Sequence, residues 1–351
     1  MVALLIAGAT ALLAAILGTP ILIRTFQARG VGQQIRDDGP QGHFSKAGTP
    51  TKGGALILLA LVTSTVLWAD PQNPMVWLVT AVTALYGGIG YIDDARKIRR
   101  RDTGGLSARY KLLLQFALAF LVCGYLWYGE QGLPYDWIRI RDRVNVPFVA
   151  FDGSAMTLPT WLYVVLASIW VVGISNAVNL TDGLDGLAIG PVMINAGTYG
   201  ILAYVAGLVI FGNDLASYLH IPSINSVGEL AVYCGAVIGA GVGFLWYNTY
   251  PAQVFMGDVG SLALGGGLGM LAIVTKNELL SIALGGIFIV EAVSVITQVT
   301  SFKLTGKRVF LMAPIHHHYE KKGWPEPRII VRFWIIAIML AIASLATLKL
   351  R

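Results

Sequence analysis

Charge is what this chain has least of. Only 13% of its 351 residues are Asp, Glu, Lys or Arg, about half the share of a soluble domain, while 56% are hydrophobic. That composition excludes an ordinary soluble protein and leaves a polytopic membrane protein, because apolar segments recur along the whole length. Cysteine is equally scarce. Cys123 and Cys234 both lie in apolar segments, where a small buried side chain is the default and no disulfide framework is indicated. The first apolar segment has no basic leader and no convincing small-residue cleavage site, so it reads as a retained span rather than a signal peptide. Also missing are G-x-x-x-x-G-K-[ST], G-x-S-x-G and H-E-x-x-H, which removes support from ATPase, serine-hydrolase and zincin chemistry. The net charge of +6 is gathered in certain loops and argues nothing for nucleic acid.

What is present is a series of ten candidate transmembrane helices, at roughly 2–23, 53–69, 75–92, 109–128, 158–175, 184–206, 229–249, 259–275, 279–301 and 331–349. The fold class expected is an all-α polytopic integral membrane protein forming one domain over 1–351. Gly265, Gly266 and Gly267 predict close helix packing in the eighth span. Lys and Arg are concentrated in the first, third and ninth loops, which predicts that odd-numbered loops are cytoplasmic and both termini lie outside. The cytoplasmic loops are then 24–52, 93–109, 176–183, 250–258 and 302–330. The external loop 129–157 alternates as Trp137-Ile-Arg-Ile-Arg and then Asn145-Val-Pro-Phe-Val, which predicts a short external β-hairpin.

With that orientation, every polar cluster of chemical interest falls on the cytoplasmic side. Asn176-Ala-Val-Asn179-Leu-Thr-Asp182-Gly-Leu-Asp185-Gly186 sits between two apolar runs, where two Asn and two Asp are costly to bury unless they bind something. Asp182 and Asp185 are three apart. A helix starting near Thr181 would place both carboxylates on one face of its first turn, and helix capping alone would account for one of them. Asp93 and Asp94 close the third span, as a metal-ligand or base pair or as charge balance for the basic residues that follow. Asp258, flanked by glycines, opens the eighth span. Five carboxylates at one face invite a hard divalent ion such as Mg²⁺. His316, His317 and His318 are consecutive. On a regular helix they point about 100° apart, so they do not all ligate one ion; imidazoles donating to phosphate oxygens suit a phosphate site, and a solvated loop is the plain alternative. Lys46 and Lys111, at the cytoplasmic edge, would neutralise a pyrophosphate or merely snorkel.

Gly90-Tyr-Ile-Asp-Asp-Ala-Arg-Lys97, Asn176 to Gly186, Phe255-Met-Gly-Asp-Val-Gly-Ser261 and Ala313-Pro-Ile-His-His-His-Tyr319 together resemble the polyprenyl-phosphate N-acetylhexosamine-1-phosphate transferases. The triple histidine and Thr49-Pro-Thr-Lys-Gly-Gly54 are similar to the branch whose donor is UDP-N-acetylmuramoyl-pentapeptide, although Lys52 stands where that branch usually has Met. The resemblance implies transfer of phospho-N-acetylmuramoyl-pentapeptide to undecaprenyl phosphate in the bacterial inner membrane, with UMP and the first lipid-linked peptidoglycan precursor as products. It implies Mg²⁺ held by Asp258, and Asp93 as base or, alternatively, as a covalent nucleophile, with Asp94 supporting the charge. Asn179, Asp182, Asp185, Asn248 and Phe255 would position the nucleotide, and Asn176 would join the substrate-binding set. His316 would join the catalytic set, and His317, His318, Lys46 and Lys111 would hold phosphates. A homodimer is also implied. The competing class is a proton-coupled carrier, which should show repeated halves and midplane charges. A sister transferase using UDP-N-acetylglucosamine is the nearer rival.

Overall fold

The computed structural model describes residues 2–28, 48–100, 105–151, 156–210 and 213–350. In chain order its helices are α1 (Val2–Ala28), α2 (Gly53–Trp68), α3 (Pro74–Arg100), α4 (Ala108–Tyr128), α5 (Tyr135–Ile138), α6 (Thr160–Thr181), α7 (Ile189–Ala206), α8 (Leu215–Tyr218), α9 (Leu230–Asn248), α10 (Gly257–Val274), α11 (Leu280–Leu284), α12 (Gly286–Thr305), α13 (Ile315–Lys321) and α14 (Glu326–Ala346). Among the described residues, nine helices are long and apolar enough to cross a membrane, and Gly53–Trp68 is a shorter apolar tenth. All ten expected segments are therefore helical.

The middle of the bundle is α10, buried over nearly its whole length and packed on α3, α6 and α2. Its glycines make this possible. A Cβ at Gly265, Gly266 or Gly267 would lie 2.7, 2.9 and 2.4 Å from Ser175, Tyr86 and Tyr233, so larger residues would push the neighbouring helices apart. α1 packs along α9 and α2, and α7 lies against α9 and α14. The outward faces of α1, α4, α12 and α14 carry exposed Leu, Ile, Val and Phe, as a lipid-facing surface requires. Cys123 and Cys234 are buried free thiols.

Three features differ from the sequence expectation. The external hairpin is absent among the described residues. Tyr135–Ile138 forms a helical turn instead, and the described residues of 129–157 contribute only the isolated bridge Arg143↔Thr157. The reason is the spacing of burial: Trp137, Ile140 and Val144 go inward at intervals of three and four, not two. Trp137 Nε1 is tied to Val274 O at 3.0 Å. A two-residue antiparallel ladder forms elsewhere, between β1 (Val209–Ile210) and β2 (Asn213–Asp214). Second, no helix begins at Thr181. α6 runs through it and Asp182 follows as its C-cap, while α7 starts at Ile189. Gly186, at φ +77°, takes a left-handed conformation that ends helical continuation. Third, the ninth expected span is divided into α11 and α12 at Gly285.

The ends of the helices segregate their polar groups. At one end, the C-termini of α3 and α6 meet the N-termini of α2, α4 and α10. At the other, Lys276 is wholly buried, donating to Arg141 O (2.9 Å) and to the Tyr163 hydroxyl and facing Glu278 Oε1 (3.3 Å). This second cluster fastens the 129–157 segment to the bundle.

Candidate active site

The first of these ends carries the acidic cluster. Asp93 and Asp94 sit on the last turns of α3, and Asp258 on the first turn of α10. One oxygen from each lies within 4.8 Å of the others. Close backbone approach brings them together. A Cβ at Gly90 would be 2.3 Å from Asp258 O, and one at Gly54 would be 2.2 Å from Gly260 N. Thr49 to Gly54 is pinned beside Asp258 by backbone hydrogen bonds: Gly53 N to Phe255 O and Gly54 N to Met256 O, each 2.9 Å, and Phe255 N to Pro50 O at 2.8 Å. Gly257 adopts φ +70° against Thr51 O, a contact with no room for a side chain.

Cations and amides complete the cluster. Lys97 Nζ lies 2.6 Å from Asp93 Oδ2, 3.5 Å from Asp94 Oδ1 and 2.8 Å from Asp258 Oδ2. Lys111, on the first turn of α4, donates to the same Asp258 oxygen at 2.9 Å. Asn179, in the last turn of α6, donates to Asp258 Oδ1 and Ser261 Oγ, both at 2.8 Å. Leu106 N donates to Asp93 Oδ1 at 2.7 Å. Three carboxylates are costly together in a low-dielectric setting, and two ammonium groups with an amide offset that repulsion.

The predicted residues thus divide by position. Asp93, Asp94, Asp258, Lys111 and Asn179 form one constellation. Asp182 adjoins it, accepting from the Gly257 backbone; burial, and then the Asp258 charge, raise its carboxyl well above the usual range. Asp185 Oδ2 accepts from Ala252 N at 2.9 Å. Asn248 accepts from Gly186 N (3.0 Å) and donates to Val254 O (2.8 Å), so it joins the 182–188 loop to the 250–256 loop. Phe255 is half-buried on the latter loop. Asn176 lies one turn deeper than Asn179 and donates to Gln115 Oε1 at 2.7 Å. The three histidines of α13 diverge as helical geometry requires. His316 meets Glu291 (3.0 Å), His317 meets Glu320 (2.5 Å), and His318 Nδ1 accepts from Leu311 N (3.1 Å). Lys46 falls outside the described residues.

Sequence reasoning passed over Lys97, taking it as one charge of a basic loop. The usable signal was its spacing, four residues after Asp93 and three after Asp94 on a continuing helix. It also passed over Glu291, a lone carboxylate within an apolar span.

Ten apolar helices among the described residues define a multi-pass membrane protein, and at one end of the bundle three carboxylates face two lysines. Comparison with known proteins narrows the class. The glycosyl transferase family 4 model matches residues 76–276. The chain is 64% identical over 347 residues to a phospho-N-acetylmuramoyl-pentapeptide-transferase of Sorangium cellulosum (strain So ce56), covering 99% of this chain and 92% of that one. Proteins of the same name from Desulfatibacillum aliphaticivorans (55% identical, 98% and 92% covered) and Desulfotalea psychrophila (52%, 95% and 89%) are similar throughout. The chain belongs to glycosyl transferase family 4 and, within it, to the phospho-N-acetylmuramoyl-pentapeptide-transferases.

Proposed function

We propose that this protein transfers phospho-N-acetylmuramoyl-pentapeptide from its UDP conjugate to undecaprenyl phosphate, giving UMP and the first lipid-linked peptidoglycan precursor. The observation that carries the site assignment is the convergence of Asp93, Asp94 and Asp258 from two helix ends around Lys97, with Lys111 beside them. A lipid phosphate at a membrane surface and a soluble nucleotide can meet only where helix ends reach the interface, and the cluster is at such an end.

In the proposed reaction an oxygen of the lipid phosphate attacks the sugar-linked phosphorus of the donor. The bond from that phosphorus to the bridging oxygen breaks, and UMP departs with that oxygen. Such transfers depend on alignment and charge neutralisation more than on covalent help. The donor set is all carboxylate oxygen, which fits Mg²⁺. Asp258, with Asp93 and Asp94, would hold the ion, and when bound it supplies positive charge to the diphosphate. Lys97 and Lys111 add charge to the phosphates. Asp93 keeps the lipid phosphate deprotonated, a small task for a group whose second pKa is about 6. Asp94 supports the cluster. Asn179, Asp182 and Asp185 position the nucleotide, with Phe255 stacking on uracil, while Asn176 and Asn248 brace those groups. His316, His317 and His318, with Lys46, hold phosphate oxygens.

The Lys- and Arg-rich loops after α3 and around α13 support a cytoplasmic face for this end. The assembly proposed on family resemblance is a homodimer. The deciding experiment measures UMP release from UDP-N-acetylmuramoyl-pentapeptide. The proposal requires that release depend on both Mg²⁺ and undecaprenyl phosphate; release without the lipid, or preference for UDP-N-acetylglucosamine, would refute it. A phosphorylated enzyme trapped in the absence of lipid phosphate would replace direct attack by the covalent route through Asp93.

A further inference from the structure

Glu291 lies within α12, in an apolar span, and is fully buried, as is His316 on α13. An ionisable side chain in such a place is expensive, and a structural carboxylate is expected to have both oxygens satisfied. Here Oε1 pairs with His316 Nδ1 at 3.0 Å. Oε2 and His316 Nε2 are both buried without a hydrogen-bond partner among the described residues. A pair kept only for packing would be better replaced by apolar side chains of equal volume.

The direction of the unpartnered nitrogen is informative. A Cβ built on Gly183 would stand 2.3 Å from His316 Nε2, so that nitrogen lies against the loop beginning at Asp182. Asp182 in turn accepts from Gly257, the neighbour of Asp258. Glu291 Oε1 occupies His316 Nδ1. The atom left for a substrate is Nε2.

We propose that Glu291 is a positioning residue that fixes the His316 ring, leaving Nε2 as the one nitrogen facing the loop that begins at Asp182. This rests on the reading that His316 meets a substrate phosphate. Glu291 itself touches no reactant; it acts through the imidazole, as partners of functional histidines commonly do.

The test is a double-mutant cycle on the full chain in vesicles containing undecaprenyl phosphate, with UMP release and thermal midpoint both measured. Glu291→Ala should lower kcat about 10–100-fold, the range typical for removing such a partner, with a much smaller change in KM for the donor. Glu291→Gln keeps a hydrogen-bond partner for Nδ1 and should recover most of that loss. In a His316→Ala background, Glu291→Ala should change kcat less than about two-fold, because the group it orients is gone. If Glu291→Ala does not fold, Glu291→Met takes its place in the cycle. If His316→Ala is crippled while Glu291→Ala is as active as the parent, or if the two losses multiply, the positioning role is refuted and the His316 reading stands. If His316→Ala retains parental kcat, the His316 reading itself falls, and the proposal with it.

Discussion

Asp258→Asn is the substitution that separates chemistry from stability at the centre. In the native protein, Asp258 Oδ2 accepts from Lys97 at 2.8 Å and Lys111 at 2.9 Å, while Oδ1 accepts from Asn179 at 2.8 Å. Asparagine keeps the shape and loses the charge. Lys97 still has Asp93 and Asp94, but among the described residues Lys111 keeps no carboxylate partner. Breaking a fully buried pair costs about 3–5 kcal/mol and an exposed pair about 0–1 kcal/mol. With Asp258 17% and Lys111 15% exposed, a loss of about 1–3 kcal/mol is expected from the interpolation between those limits. The effect on turnover should be larger, about 10²–10³-fold or more, as when one preorganised electrostatic contact to a transition state is removed. The double variant Asp258→Asn with Lys111→Met removes the stranded ammonium, so the thermal midpoint should recover by about half while UMP release stays lost. Midpoints come from tryptophan fluorescence in detergent, and turnover from coupled UMP detection. Parental turnover in Asp258→Asn, or recovery of turnover together with stability, would refute the reasoning.

Other outcomes follow from the same geometry. Gly183→Ala, whose Cβ would meet His316 Nε2 at 2.3 Å, should displace that ring and depress kcat while the midpoint falls only modestly. Asn179→Leu should lose the bonds to Asp258 and Ser261 and weaken Mn²⁺ binding measured by paramagnetic resonance; unchanged affinity would remove Asn179 from the centre. Asp182 has its carboxyl raised above 3.8 by burial. Between 3.8 and that raised value the folded state keeps a proton the unfolded chain has lost, so stability falls as pH rises through the window. Asp182→Asn should flatten that slope of midpoint against pH. Lys276→Met, at the opposite end, should alter the midpoint but leave the Mg²⁺ dependence of UMP release unchanged.

The helices were legible because a bilayer demands long apolar runs, and those runs survive any reading of their neighbours. Asp93, Asp94 and Asp258 were legible because carboxylates at the ends of apolar runs are costly. Lys97 was hidden by its company. In a run of basic residues nothing marks the one that turns inward until the helix is known to continue past Asp94. Glu291 was hidden for the opposite reason, standing alone, with its partner 25 residues on and brought back by the chain reversal after α12. The mistaken hairpin came from an alternation in Trp137 to Arg141 that satisfied a two-residue period locally. The packing of Trp137 against the end of α10 imposed a helical turn instead. Likewise Thr181-Asp182 resembles a helix start, but α6 already occupies Thr181 and the glycines after it make a loop.

The most direct test of the central claim is anomalous diffraction from crystals grown with Mn²⁺ and the UDP-linked donor. The account predicts a strong peak bounded by Asp93, Asp94 and Asp258, about 2.0–2.2 Å from at least one oxygen of Asp258, with the diphosphate beside it. A peak bound elsewhere, or a diphosphate seated away from these three carboxylates, would contradict it.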